Sequence, residues 1–138
     1  MNLLDTFAGI GGFSLAAHWA GMETVGFVEF AEFPQKVLAK NFPGIPIWGD
    51  VREFNKNTYD EYYQTRVQTS PPVNVISGGF PCQNVSVAGD GTGLNGESSS
   101  LWSEAARLLR EFRPNFGIFE NSSMLHNRGL EKILCDLA

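Results

Sequence analysis

Two side chains in this sequence have the chemistry of a nucleophile and a proton donor. Cys82 lies in the turn Phe80-Pro81-Cys82-Gln83, shortly after an apolar run at residues 73–77, and Glu120 follows a second apolar run. A cysteine is often a buried space-filling residue. The proline before Cys82 and the glycine-rich loop after it suit an exposed thiolate better. We expect Glu120 to lie on a neighbouring strand end, where a partly desolvated carboxyl group could act as an acid.

A second group of residues suits a nucleotide-like ligand. The segment Phe7-Ala8-Gly9-Ile10-Gly11-Gly12 can bend tightly and bring its backbone close to a ligand, although its spacing is not GxGxxG. Glu29, which ends the second predicted strand, could accept hydrogen bonds from a ribose diol. Asp50 ends the third predicted strand and could accept a hydrogen bond from an adenine amino group. Each could instead be a solvated acid, but their joint placement favours an adenosine-bearing cofactor.

The elements that must position these residues alternate between strand and helix. Apolar runs predict strands at residues 3–7, 24–29, 45–48, 73–77 and 116–119. Helical composition and spacing predict helices at residues 13–20, 34–41, 60–67, 99–112 and 130–137. This alternation predicts an α/β, Rossmann-like fold, a mostly parallel sheet with helices on both faces. The candidate residues would then meet at the carboxyl edge of the sheet.

Length and composition narrow the class of protein. The 138 residues, 43% of them apolar, suit one globular domain over residues 1–138. No apolar run approaches the roughly 20 residues of a membrane span, and no signal peptide is evident, so we expect a cytoplasmic protein without membrane contact. Two cysteines and two histidines lack metal-ligand spacing, so no metal site is predicted. Cys135 lies in the last predicted helix, where a packing role is expected.

The order of these motifs resembles that of the cytosine-C5 DNA methyltransferases, which use S-adenosylmethionine. The run through Pro81-Cys82-Gln83 is highly specific, and the resemblance covers almost the whole chain. The matching segments are Asp5-Thr6-Phe7-Ala8-Gly9-Ile10-Gly11-Gly12, Glu29, Gly49-Asp50-Val51, Gly79-Phe80-Pro81-Cys82-Gln83 with Ser86 and Gly89, Leu101 ahead of Arg113-Pro114, and Phe119-Glu120-Asn121.

The resemblance implies a cofactor pocket. The turn of Phe7, Ala8, Gly9, Ile10, Gly11 and Gly12 would hold the methionine part of S-adenosylmethionine. Glu29 would hold the ribose hydroxyls, and Asp50 with Val51 would hold the adenine. Phe30 stands where the family often has an aromatic stacking partner, and Pro81 and Leu101 would complete the pocket.

The resemblance also implies a reaction on a cytosine flipped out of double-stranded DNA. Cys82 would attack C6 while Glu120 protonates N3, so that C5 becomes able to accept a methyl group. Gln83 and Ser86 would lie on the DNA side of the site, and Asn121 would orient the loop. The tRNA-methylating branch of the family is a rival for the substrate, because its core motifs are similar.

The family continues beyond the matched motifs with a target recognition domain and a C-terminal motif, which this chain lacks. We therefore expect the sheet to end after its fifth strand with an unpaired edge. The net charge of −5 fits a chain that needs another basic surface to grip DNA. Three alternatives remain: a fragment of a full enzyme, a subunit of a split enzyme, or a degenerate remnant. A complementing chain or a second copy could bind at the open edge.

Overall fold

Five parallel strands form the centre of the computed structural model, which describes residues 1–81, 99–123 and 125–138. The strands are Asn2–Thr6 (β1), Glu23–Val28 (β2), Ile47–Trp48 (β3), Val75–Gly79 (β4) and Phe116–Glu120 (β5). Their order across the sheet is β3-β2-β1-β4-β5, so the direction of winding reverses between β1 and β4. Ligands of open α/β sheets bind beyond the carboxyl ends of the strands at such a reversal.

Helices cover both faces of this sheet. They are Gly12–Trp19 (α1), Glu32–Asn41 (α2), Lys56–Val67 (α3), Ser99–Phe112 (α4), Leu125–Arg128 (α5) and Leu130–Leu137 (α6). Neighbouring strand residues point to opposite faces. Leu3 accordingly packs with Ala17 of α1, whereas Leu4 packs with Tyr59 of α3 and Leu108 of α4. Among the described residues, no helix is long and apolar enough to cross a membrane.

The predicted α/β fold is confirmed, with two differences among the helices. α3 begins at Lys56, four residues earlier than expected, because Asn55 caps it. The Asn55 side chain accepts from the backbone N–H of Thr58, and the Thr58 hydroxyl accepts from the N–H of Asn55. This reciprocal pair satisfies backbone donors that otherwise lack a helical partner. The short helix α5 was not predicted.

The last helix, α6, packs differently from the prediction. Ile133 is buried against α4, and the indole N–H of Trp102 donates to Asp136 at 2.8 Å. The packing role expected for Cys135 is wrong, because this thiol is exposed. Leu134 is also 58% exposed. The apolar stripe of α6 therefore extends past the surface that α4 covers.

β5 is one of the two edge strands of the described sheet, and one of its faces is open. Gly117 faces α4, since a Cβ at this position would lie 3.3 Å from Leu109. Phe116 and Ile118 therefore point to the opposite face, next to their register partners Val75 and Ser77 of β4. They are 57% and 45% exposed. The expected open edge thus comes with an exposed apolar face.

Candidate active site

A cleft of about 230 Å³ lies at the carboxyl edge of the sheet and brings together most of the predicted cofactor residues. Residues from the ends of β1, β2, β3 and β4 meet there with one residue of α4. Seven of the lining residues were predicted from the sequence: Phe7, Glu29, Phe30, Asp50, Val51, Pro81 and Leu101. The three remaining lining residues are Val28, Gly49 and Arg52. The described part of the site is therefore one continuous surface.

Glu29 is held in place by two backbone donors. Its Oε2 accepts from the N–H of Gly9 at 2.7 Å, and its Oε1 accepts from the N–H of Ala31 at 2.8 Å. A carboxylate offers about four acceptor positions. With respect to the described residues, two of them remain for a ligand, and the carboxylate is already oriented before a ligand binds.

Asp50 is engaged in an ion pair that the sequence did not indicate. The guanidinium Nη2 and Nε of Arg52 donate to its Oδ2, and Nε and the backbone N–H of Arg52 donate to its Oδ1. The hydrogen bonds from Arg52 lower the pKa of Asp50 below its ordinary value. This side chain must release Arg52, at least in part, before it can accept from an adenine amino group.

The first turn has the backbone geometry that its glycines predict. Gly9 and Gly11 have φ of 52° and 91°, values that glycine adopts without steric cost. Phe7 has φ of 51°, which is unfavourable for a bulky residue and costs on the order of 1–3 kcal/mol. Gly11 precedes α1 without a side-chain cap, and in the first turn of this helix the backbone N–H of Ser14 hydrogen-bonds to Asp5.

Part of this turn lines a different cavity. Ile10, Gly11 and Gly12 border a larger groove of about 730 Å³ between α1 and α2, whose lining includes Leu15 and Phe42. Neither Glu29 nor Asp50 reaches it. Size alone would favour this groove as the ligand site. The strand ends and acidic side chains converge at the smaller cleft instead, and they favour the cleft as the ligand site. Among the predicted turn residues, Phe7 lines the cleft and Ala8 is buried.

The proton-donor side of the site lies on β5. Gly79 and Glu120 are register partners, and a Cβ at Gly79 would lie 3.4 Å from Oε2 of Glu120. Glu120 is exposed, so the partial desolvation that we expected is not present in the described structure. Asn121 donates from Nδ2 to the backbone oxygen of Phe80 at 2.9 Å and so connects the ends of β4 and β5.

Three predicted residues of the reactive segment lie outside the described residues. They are Cys82, Gln83 and Ser86. Pro81, which precedes Cys82 in the sequence, lines the cleft. The end of β4 therefore brings Pro81 to the cleft.

A buried polar cluster behind the cleft was missed by the sequence reasoning. The carboxylate of Asp5 accepts from the hydroxyl of Ser14 at 2.8 Å and from that of Ser77 at 2.7 Å, and all three side chains are fully buried. Burial raises the pKa of Asp5 to about 6, although both hydroxyl hydrogen bonds oppose the increase. The cluster joins β1, α1 and β4 at the base of the site.

The comparisons with known proteins identify the family. The sequence model described as "C-5 cytosine-specific DNA methylase" matches residues 1–137. The chain belongs to this family. It is similar to the type II methyltransferase M.CviJI of Paramecium bursaria Chlorella virus IL3A, with 34% identity over 95% of the chain and 33% of the relative. It is also similar to M.HhaI of Haemophilus parahaemolyticus, with 31% identity over 88% of the chain and 33% of the relative.

Solved structures resemble this member of the C-5 cytosine methylase family in fold. A protein from an E. coli prophage, described as a DNA modification methyltransferase, superposes with a TM-score of 0.78 and 27% identity over 98% of the chain and 36% of that structure. Dnmt2 of S. pombe superposes with a TM-score of 0.72 over 99% of the chain and 41% of that structure, and at 13% identity it supports the fold alone. The chain spans about a third of the length of the curated relatives it matches.

Proposed function

We propose that this chain is the cofactor-binding and catalytic part of a type II DNA methyltransferase, which transfers a methyl group from S-adenosylmethionine to C5 of cytosine. The observation that carries the proposal is the cleft in which seven predicted cofactor residues meet at the carboxyl edge of the sheet. Membership of the C-5 cytosine methylase family supports the reaction class. We also propose a cytoplasmic location, as is usual for an enzyme that modifies DNA in a restriction-modification system.

The residues of the cleft have the chemistry to hold an adenosine group. Glu29 keeps free acceptor positions for the two ribose hydroxyls. Val51 and Leu101 offer apolar surface, and Phe30, which is 73% exposed at the rim, offers a ring face for stacking on a base. The volume is below the roughly 300–1,000 Å³ of typical ligand pockets. The cleft therefore suits the adenosine part, with the methionine part placed towards the turn at Gly9.

The proposed chemistry on the cytosine uses Cys82 and Glu120. S-adenosylmethionine supplies an electrophilic methyl group. The Cys82 thiolate would add to C6 while Glu120 protonates N3, which turns C5 into the nucleophilic carbon of an enamine. After C5 has taken the methyl group and lost its proton to a base, the C6–S bond would break, Cys82 would leave as the thiolate and the N3 proton would return to Glu120. Asn121 would keep the ends of β4 and β5 together during these steps.

Trapping on 5-fluorocytosine tests this role, because fluorine cannot leave C5 as a proton does and the adduct persists. The chain would be combined with the remaining two thirds of M.CviJI, which supplies a recognition region. We expect a covalent adduct with S-adenosylmethionine for the unmutated chain and for Cys135→Ser, and none for Cys82→Ser. An adduct with Cys82→Ser would refute the nucleophile. A preference for 5-fluorocytosine in RNA would favour the tRNA-methylating alternative.

We propose further that a separate polypeptide segment completes the chain at β5. The exposed Phe116 and Ile118 and the free edge of β5 would be covered by an added strand with its own apolar face. The net charge of −5 supports a basic DNA-binding surface on this segment. If that segment belongs to a second chain, this protein is a subunit of a split enzyme; a non-catalytic subunit that binds cofactor or a partner is the alternative function.

A binding experiment separates these outcomes. We expect the remaining two thirds of M.CviJI to bind the chain in a pull-down, and the double variant Phe116→Lys/Ile118→Lys to abolish binding. Leu134→Lys is a matched control, because it changes an equally exposed leucine on α6. Binding that Phe116→Lys/Ile118→Lys leaves intact would contradict this docking surface. A dimer of the unmutated chain alone in sedimentation velocity would indicate self-association instead.

A further inference from the structure

The loop between β3 and α3, residues 49–55, forms one wall of the cleft and contacts α4 in two ways: Phe54 stacks on Phe112, and the Arg107 side chain hydrogen-bonds to the loop backbone. Arg107 donates from Nη2 to the backbone oxygens of Val51 and Phe54, each at 2.8 Å. Two of the loop's carbonyl groups are thereby fixed by one guanidinium nitrogen. The same loop carries Asp50 and Val51, which line the cleft.

Two glutamates of α4 orient this guanidinium. Nε of Arg107 donates to Glu104 and Nη1 donates to Glu111, both at 2.7 Å. Glu111 also accepts from the backbone N–H of Lys56 at 3.1 Å, so it holds the first residue of α3. Four of the five guanidinium donors are therefore in use, in the fork geometry that arginine has and lysine lacks.

The opposite wall of the cleft belongs to the same helix. Leu101 lines the cleft from α4 and precedes Arg107 by six residues, which is about 9 Å along a helix. α4 thus contributes one wall directly and holds the other through Arg107.

We infer that Arg107 is a positioning residue that sets the width of the adenosine cleft by holding the loop of residues 49–55 against α4. This inference rests on the proposed function, because it assigns the cleft to the adenosine part of the cofactor. Arg107 itself does not line the cleft and is not a catalytic residue. Its effect on binding would pass through Val51 and Asp50.

Two measurements on the unmutated chain and on Arg107→Met and Arg107→Lys test the inference. The first is hydrogen exchange of the backbone amides at residues 51–56 without ligand, compared with those of β1 and β4. The second is calorimetry with S-adenosylhomocysteine and with methylthioadenosine, which keeps the adenosine and lacks the amino acid. Arg110→Met is the matched control, because it removes the same charge from the same helix and contacts Asp136 instead.

We expect both Arg107 variants to exchange at least tenfold faster at residues 51–56, with β1 and β4 changed much less. Both ligands should bind about tenfold more weakly, by the same factor, and Arg110→Met should behave as the unmutated chain. Equal acceleration throughout the sheet, or no acceleration at residues 51–56, would overturn the inference. Faster exchange at residues 51–56 with unchanged affinities for both ligands would also overturn it. If the unmutated chain binds neither ligand, the cofactor proposal fails and the positioning role falls with it, while the exchange data still report on the contact itself.

Discussion

The backbone N–H of Gly9 donates to Oε2 of Glu29 at 2.7 Å, across 20 residues of sequence. This hydrogen bond joins the first turn, expected to face the methionine part of the cofactor, to the end of β2, expected to face the ribose. A charge-assisted hydrogen bond of this kind is short and orients both partners. The two halves of the proposed cofactor site are therefore directly linked by this contact.

Replacing Glu29 by Gln should weaken binding of S-adenosylhomocysteine by about 10- to 100-fold, because the amide keeps one acceptor oxygen and places an N–H₂ group against a backbone donor. Kd from calorimetry measures the effect. Glu32→Gln is a suitable control, since Glu32 is an exposed partner of Lys36 on α2. An unchanged Kd for Glu29→Gln would show that Glu29 does not contact the ligand.

Replacing Arg52 by Ala should strengthen binding of S-adenosylhomocysteine by about three- to tenfold, because the acceptor positions of Asp50 become free for an adenine amino group. The gain should disappear in the double variant Asp50→Ala/Arg52→Ala. Lys36→Ala removes an equal charge from the exposed ion pair with Glu32, which does not line the cleft, and should have no effect. Weaker binding by Arg52→Ala would instead indicate that Arg52 itself contacts the ligand.

Replacing Asp5 by Asn should change how stability depends on pH. Because burial raises the pKa of Asp5 from 3.8 to about 6, the folded protein binds a proton more tightly than the unfolded chain between these values. The free energy of unfolding therefore loses up to about 3 kcal/mol from this group as the pH rises from about 4 to 7. Urea denaturation of both proteins across this range should show the unmutated chain losing stability relative to Asp5→Asn.

Ser77→Ala is the companion variant for Asp5. The Ser77 hydroxyl favours the ionised carboxylate, so its removal should move the midpoint of the pH-dependent difference to a higher pH. The buried ionisable cluster would be contradicted if the stability of the unmutated chain relative to Asp5→Asn did not change with pH, or if it increased as the pH rose.

The sequence predicted the parts of the molecule that depend on regular patterns. Alternating apolar runs and helical segments predicted the α/β fold, and the first turn, which was expected to bend tightly, has positive φ at Gly9 and Gly11. Placing Glu29, Asp50 and Pro81 after strands brought them to one edge, because parallel strands end on the same side. The pattern of the chain therefore located the cleft before any contact was known.

Side-chain pairings were beyond this reasoning. Asp5 has no apolar pattern of its own, and its serine partners come from α1 and from β4, which is more than 70 residues away. Arg107 occupies a helix in which a charged residue usually faces solvent, and its partners on the preceding loop depend on tertiary packing. Cys135 was misplaced because the leucine stripe of α6 is wider than the surface that covers it.

The central claim, that this chain carries a working S-adenosylmethionine site, is tested most directly by calorimetric titration of the unmutated chain with S-adenosylhomocysteine. We predict saturable binding at one site per chain. The double variant Glu29→Ala/Asp50→Ala should abolish this binding, while its circular dichroism spectrum shows that the fold is unchanged. A flat titration of the folded chain, or binding that the double variant retains in full, would contradict the claim.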